Sequence, residues 1–168
     1  RARMEPLRTA LLTLFNTASN YEQFLTLALI PALLHIMAMA AGAWAVGGEL
    51  RERSLGDWLG AHPSVRQAAG ALSGKLVPAF VGLGAVGTVA LLWLALGRGW
   101  RPAGSLTLTL AANLVFLALS LAMGAAAAAI TRSLRTALSA TGFITAPAFA
   151  FGGMGFPLLS MPALARAW

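Results

Sequence analysis

The chain has no cysteine and only five acidic side chains in 168 residues. The first absence excludes disulfides, thiolate metal sites and cysteine nucleophiles, and leaves the redox compartment open. All five carboxylates fall outside the long apolar runs, so no buried acid pair exists for intramembrane proteolysis or a proton relay. No H-E-x-x-H, G-x-S-x-G or G-K-[ST] motif is present, since Gly74-Lys75 is followed by Leu76. No catalytic residue, metal or cofactor is therefore expected, and the chain is not expected to be an enzyme. Charge of either sign is scarce, at 10% of residues, against about 25% in soluble domains. What fills the chain instead is apolar: 58% hydrophobic residues and a mean hydropathy of +0.76. That composition belongs to an all-α integral membrane protein. The net charge of +7 does not signal nucleic acid. The twelve basic residues sit at the ends of apolar runs, where they select orientation and meet anionic lipid.

Runs of 18 or more apolar residues read as membrane-spanning helices. Four are expected, at about 24–48, 76–97, 106–131 and 136–156, within a single transmembrane domain covering 1–168. Tyr21 and Phe24 fall where aromatic side chains anchor an interface. Pro31 is expected to kink the first span, and Pro147 to interrupt the fourth. The glycines of Gly82-Leu83-Gly84-Ala85-Val86-Gly87 match a dinucleotide fingerprint by letters alone. No strand precedes them and no acid follows about 20 residues on, so they read as a surface for close helix approach. Arg132-Ser133-Leu134-Arg135 is a link short enough to make the third and fourth spans antiparallel neighbours. Phe156 to Pro162 reads as a turn into a short re-entrant or interfacial helix. The chain opens Arg1-Ala2-Arg3-Met4-Glu5 without an apolar core, and is expected to be a piece of a longer protein.

The interval 49–75 is charged and patterned: Glu49, Arg51, Glu52, Arg53, Asp57, Arg66 and Lys75 lie within it. Leu55, Trp58 and Leu59 make one apolar stripe, and Val65, Ala69, Leu72 and Leu76 a second. Glu49 and Arg53 stand four apart in the favourable order for a helical ion pair. Pro63 suits the first position of a new helix. The reading is an elbow of two short amphipathic helices lying on the membrane surface; an interfacial loop without a partner is the plainer alternative. Placing the elbow in the cytoplasm puts Arg51, Arg53, Arg66, Lys75, Arg132 and Arg135 there, which tips a near-even count of basic residues.

Two polar residues within the spans stand out. His35 is the sole ionisable side chain inside the first span, a functional hypothesis by default; a neutral histidine bonded to a backbone carbonyl is the structural alternative. Asn113, inside the third span, either lines a path or joins two helices.

Four places then resemble the membrane subunits of type-2 ABC exporters. Leu14-Phe15-Asn16 with Asn20-Tyr21 and Phe24-Leu25 looks like the lead-in to that family's second helix. Glu49 to Pro63 resembles its elbow, Gly74-Lys75 with Pro78 the G-K-x-x-P opening its third helix, and Gly153, Phe156-Pro157 and Met161-Pro162 its G-x-x-F-P-x-x-x-M-P. Leu27-Ala28 stands where the family has P-G, and its elbow G-T is absent. The resemblance implies the family's second to fifth helices and a multi-pass protein of the cell (inner) membrane. It implies efflux through a path formed with a second permease, as homodimer or heterodimer, and driven by a cytoplasmic ABC ATPase. It makes the elbow the coupling helix, with Glu49, Arg51, Glu52, Arg53, Asp57 and Trp58 at the ATPase contact. A membrane-embedded enzyme, or a structural membrane protein whose functional part lies outside this piece, are the alternative readings.

Overall fold

A computed structural model describes residues 20–60, 63–152 and 161–166. They form six α-helices: α1 Tyr21–Glu52, α2 Leu55–Leu59, α3 Val65–Leu92, α4 Leu106–Thr131, α5 Leu134–Phe151 and α6 Ala163–Arg166. A π-helical turn, Trp93–Gly97, extends α3. No strand occurs among the described residues, and the protein is all-α as its composition requires. Three of these helices are long and apolar enough to cross a membrane: α1, α3 with its π turn, and α4. α5, where the fourth span is expected, has 18 residues and a length of about 27 Å.

Polar caps set where the long helices begin. The side chain of Asn20 accepts from the amides of Glu22 and Gln23 at 3.0 and 3.3 Å. Ser64 and Gln67 form a capping box, in which each side chain satisfies the other's backbone N–H. Ser105 and Ser133 cap α4 and α5. The capping box moves one expectation: Ser64 is the cap, and Pro63 precedes the helix instead of opening it. From there α3 runs unbroken into the membrane stretch, so the second elbow helix and the second span are one helix. Pro31, Pro78 and Pro147 all lie inside helices. Pro147 therefore does not interrupt α5, which continues to Phe151. The segment expected to follow it, including Gly153 and Phe156-Pro157, lies outside the described residues, as do Leu14-Phe15-Asn16.

α1 is the centre of the bundle, flanked by α4, α5 and α3. Its crossing with α4 is a backbone-to-backbone contact, because Gly42 and Gly124 present no side chain there. A Cβ on Gly124 would overlap the Met39 carbonyl, and one on Gly42 the Leu121 carbonyl. Around that crossing Ala43, Val46, Ala125, Ala128 and Ala137 form one small-residue core. Leu34, Ala38, Leu117 and Leu121 form another, covered by Phe80 and Leu83. Such small-residue seams are what helices use when lipid gives no hydrophobic drive for association. Val81, Val89, Leu108, Val115 and Phe143 are exposed, as suits surfaces facing hydrocarbon.

Candidate functional site: the elbow and an interhelical cavity

The elbow is built by the way α1 ends. Arg53 takes a left-handed conformation (φ 58°), and the amide of Ser54 bonds the Glu49 carbonyl at 3.0 Å. This closes α1 as a reversed turn and throws α2 across the end of the bundle. Glu49 then accepts a hydrogen bond from Ser54 Oγ and is ion-paired with Lys75 of α3. Both side chains of the pair are largely sheltered, at 28% and 19% exposure for Lys75 and Glu49. The expected Glu49–Arg53 pair is thus replaced. Arg53 is at the cap, no longer on the helical face that a four-residue spacing assumes, and α3 supplies the cation.

Leu55 and Leu59 of α2 turn inward and line a largely apolar groove of about 360 Å³ with Val46, Leu50, Ala68 and Leu72. Val65 and Ala69, expected in the second stripe, are exposed; Ala68 takes their place beside Leu72. Glu52, Arg53 and Asp57 are exposed on the outer side of the turn. The elbow is therefore amphipathic in its packing, with a sheltered ionic pin beneath it and a charged outer face. Arg51, also exposed, lies 5.2 Å over the Trp44 ring and 3.3 Å from Glu52. The side chain of Trp58 lies outside the described part of the chain.

At the opposite end, Arg98 pairs with Glu22 and stands 5.8 and 5.2 Å over the rings of Trp93 and Trp100. Arginine over tryptophan thus occurs at both ends of the bundle, where amphipathic rings anchor a protein to the two membrane faces.

His35 faces inward between α1 and α4. Its Nδ1 is 2.8 Å from Ser120 Oγ, and that hydroxyl donates to the Phe116 carbonyl at 2.7 Å. With the hydroxyl hydrogen committed, Nδ1–H is the donor to Ser120, and Nε2 is an acceptor in the neutral ring. His35 also packs at 5.1 Å on the Phe116 ring. The same two residues line a cavity of about 430 Å³ with Pro31, Met123, Thr145 and Phe149, enclosed by α1, α4 and α5. The partner of His35 is thus a side chain rather than a backbone carbonyl; the sequence offered no signal for Ser120. Asn113 lies against Gly87 of α3, and its Nδ2 is buried with no hydrogen-bond partner among the described residues. It makes a packing contact between helices, without the bond expected of polar glue. Gly84 and Gly87 are the buried members of the glycine run, against Leu114 and Asn113, while Gly82 has open space around it.

Among the described residues, no group of histidine and acid side chains could hold a metal ion. The arrangement is one of close helix packing around a partly open, largely apolar cavity. No curated protein and no solved structure matches the chain. A family model described as ABC-2 family transporter protein does match, over residues 1–168, and the chain belongs to that family of transporter membrane proteins.

Proposed function

We propose that this chain is the membrane-spanning part of an ABC exporter permease, moved between inward- and outward-open forms by a separate cytoplasmic ATPase. The observation that carries the reading is the pinned elbow. An ATPase domain that changes shape must push on something stiff: the Glu49–Lys75 pair joins α1 to α3, and α2 is tied to them by the Ser54 bond to Glu49 and by Leu55 and Leu59 in the groove. Its outer face offers Glu52, Arg53 and Asp57 to a complementary groove. In this reading the elbow end is cytoplasmic, α5 is the fourth span, and the path lies between two permeases in the cell (inner) membrane. Arg51 and Trp58 complete the contact set, and the His35 cavity flanks the path.

The test uses the full-length permease with its ATPase. Glu52→Lys with Asp57→Lys leaves the internal pin intact and reverses the outer face. Like charges set against a complementary surface cost several kcal/mol, so the ATPase should no longer co-purify and substrate-stimulated hydrolysis should be lost. Membrane insertion should be unchanged, since acids contribute little to orientation. Normal co-purification with normal substrate stimulation sinks the coupling role.

A further inference from the structure

At the elbow end a second, cationic cleft lies between the last turns of α1 and the start of α5. Its volume is about 560 Å³, and Trp44, Leu50, Arg51, Arg132, Arg135 and Leu138 line it. Three arginines therefore border one space, and Arg132 borders the apolar groove beneath α2 as well. Among the described residues Arg51 has Glu52 at 3.3 Å, whereas no carboxylate pairs with Arg132 or Arg135. The backbone helps to hold them there. Arg132 closes α4 in the left-handed conformation (φ 51°), and Ser133 at once caps α5, so Arg132 lies in a two-residue link and Arg135 in the first turn of the helix that follows. Leu134 is wedged against Gly47 of α1, which fixes the link to the cleft wall.

The depth of the cleft says what it takes. Trp44 belongs to the apolar part of α1 and is 53% exposed, and Arg51 lies two turns further on, about 10 Å along the axis. The polar layer on each side of a bilayer is on the order of 5–8 Å thick, from the difference between total and hydrocarbon thickness. Arg51 folds back over the Trp44 ring at 5.2 Å, so the cleft sets an aromatic and aliphatic wall beside its arginines, a pairing suited to the boundary between hydrocarbon and headgroups. Guanidinium groups bind phosphate oxygens in bidentate fashion, and basic pockets between membrane helices are suited to phospholipid headgroups.

We propose that this cleft holds the phosphate headgroup of an anionic phospholipid, with Arg132 and Arg135 on the phosphate and Trp44 against the glycerol and first methylenes. The site is separate from the exposed face of α2 and does not depend on the ATPase contact. An occupied cleft would join α1 to the α4–α5 link, so lipid composition would set how firmly the elbow end is held.

The test is photolabelling of the full-length permease with its ATPase in nanodiscs, using a photoreactive phosphatidylglycerol and, in parallel, a photoreactive phosphatidylcholine. Phosphatidylglycerol should label the peptides containing Trp44 and Arg135 in preference to phosphatidylcholine. Arg132→Asn, which suits the left-handed position, combined with Arg135→Gln should raise the half-saturating lipid fraction about thirty-fold, at roughly fivefold per arginine. Arg132→Lys with Arg135→Lys should stay within a few-fold. Equal labelling by both lipids overturns the proposal, as does a titration unmoved by the neutral pair. Loss of labelling to inorganic phosphate at constant ionic strength would reassign the cleft to a soluble phosphate compound. Crosslinking of the cleft to the ATPase with lipid excluded would reassign it to an acidic protein surface. The two lipids compared on the unmodified protein decide the question even where a variant fails to assemble.

Discussion

Glu49 near the end of α1 and Lys75 in α3 are joined by an ion pair that spans the elbow from beneath. Ser54 Oγ donates to the same carboxylate, so one acid holds the end of α1, the reversed turn after it and the first turns of α3. A sheltered acid with two partners behaves differently from an exposed one. Its pair is screened less by salt than a surface pair, and losing either partner strands the other.

The pin should therefore be measurable by a double-mutant cycle. Lys75→Met leaves the Glu49 carboxylate the Ser54 hydroxyl and is expected to cost about 1–3 kcal/mol, the range for stranding a sheltered polar group. Glu49→Gln should cost a similar amount. The double variant should lose less than the sum, with a coupling energy of about 0.5–3 kcal/mol. Equilibrium unfolding in mixed micelles reads it, at low and high salt. A coupling of zero would make the pair a surface contact.

The α1–α4 crossing gives a sharper expectation. A Cβ on Gly124 would lie 2.7 Å from the Met39 carbonyl carbon and 2.9 Å from the Ala43 amide nitrogen, and overlap the Met39 oxygen itself. Backbone cannot rotate away as a side chain can, so the two helices must part. Overpacking of this kind costs about 1–3 kcal/mol or more. Gly124→Ala is expected at or beyond the top of that range. Gly142→Ala in α5, with nothing within 4 Å of the added carbon, should stay within about 0.5 kcal/mol of the parent. Similar losses for both would mean that the crossing is not what the Gly124 variant measures, since helix propensity alone favours alanine over glycine.

These two sites show what the sequence could and could not reveal. Three of the four expected spans were legible as helices long and apolar enough to cross a membrane, because charge-free apolar runs favour helix there, and the all-α fold follows from them. Gly84 and Gly87 were legible as an approach surface for the same reason. The charge of the interval after α1 was legible, yet its second short helix proved to be the start of α3 and its internal partners were not foreseen. Glu49 and Arg53 have a helical spacing, but a left-handed residue at the end of α1 takes Arg53 off the helical face, and spacing does not record φ. Lys75 lies opposite Glu49 on an α3 that starts at the Ser64–Gln67 box and runs unbroken into the apolar stretch, and the sequence did not show that continuity. The arginine cleft was hidden for a third reason: Arg51 and Arg135 are far apart in sequence, and tertiary packing alone brings them to one space.

Asn113 tests the packing of α3 on α4. Its Nδ2 is buried without a partner among the described residues, directly over Gly87. Replacing it by an apolar residue of similar size removes an unpaired amide and no described bond. Asn113→Leu should therefore leave the stability of the isolated permease unchanged or raised, by up to about 1 kcal/mol, since an unsatisfied buried group costs that much or more. Gly87→Ala should lower it, because the new Cβ would lie 2.7 Å from Nδ2 and 3.1 Å from Leu34 Cδ1. Unfolding of the separated permease measures both. A marked loss on Asn113→Leu would show that the amide is bonded to a helix outside the described residues.

The orientation of the elbow decides whether an ATPase can reach it at all. The elbow end carries Arg51, Arg53, Arg66, Lys75, Arg132 and Arg135; against them stand Arg98 and Arg101 of the loop between α3 and α4, and Arg166, with Arg1, Arg3 and Arg8 at the edge of the distance that counts. Basic residues close to helix ends are retained in the cytoplasm, so the elbow should be inside and the loop outside. This chain has no cysteine, so a single introduced thiol in it reports its own position. Ser64 and Ser105 are poor places for it, because both are helix caps and losing a cap costs about 1 kcal/mol. Gly56 in α2 and Gly104 in the loop have open space around them and leave the caps untouched. Gly104→Cys should react with a membrane-impermeant maleimide on intact cells, and Gly56→Cys only after permeabilisation. Reaction of Gly56→Cys on intact cells, with Gly104→Cys protected, would place the elbow outside. That outcome would remove the ATPase from its reach and with it the coupling role, while leaving the pin, the crossing and the arginine cleft as they stand.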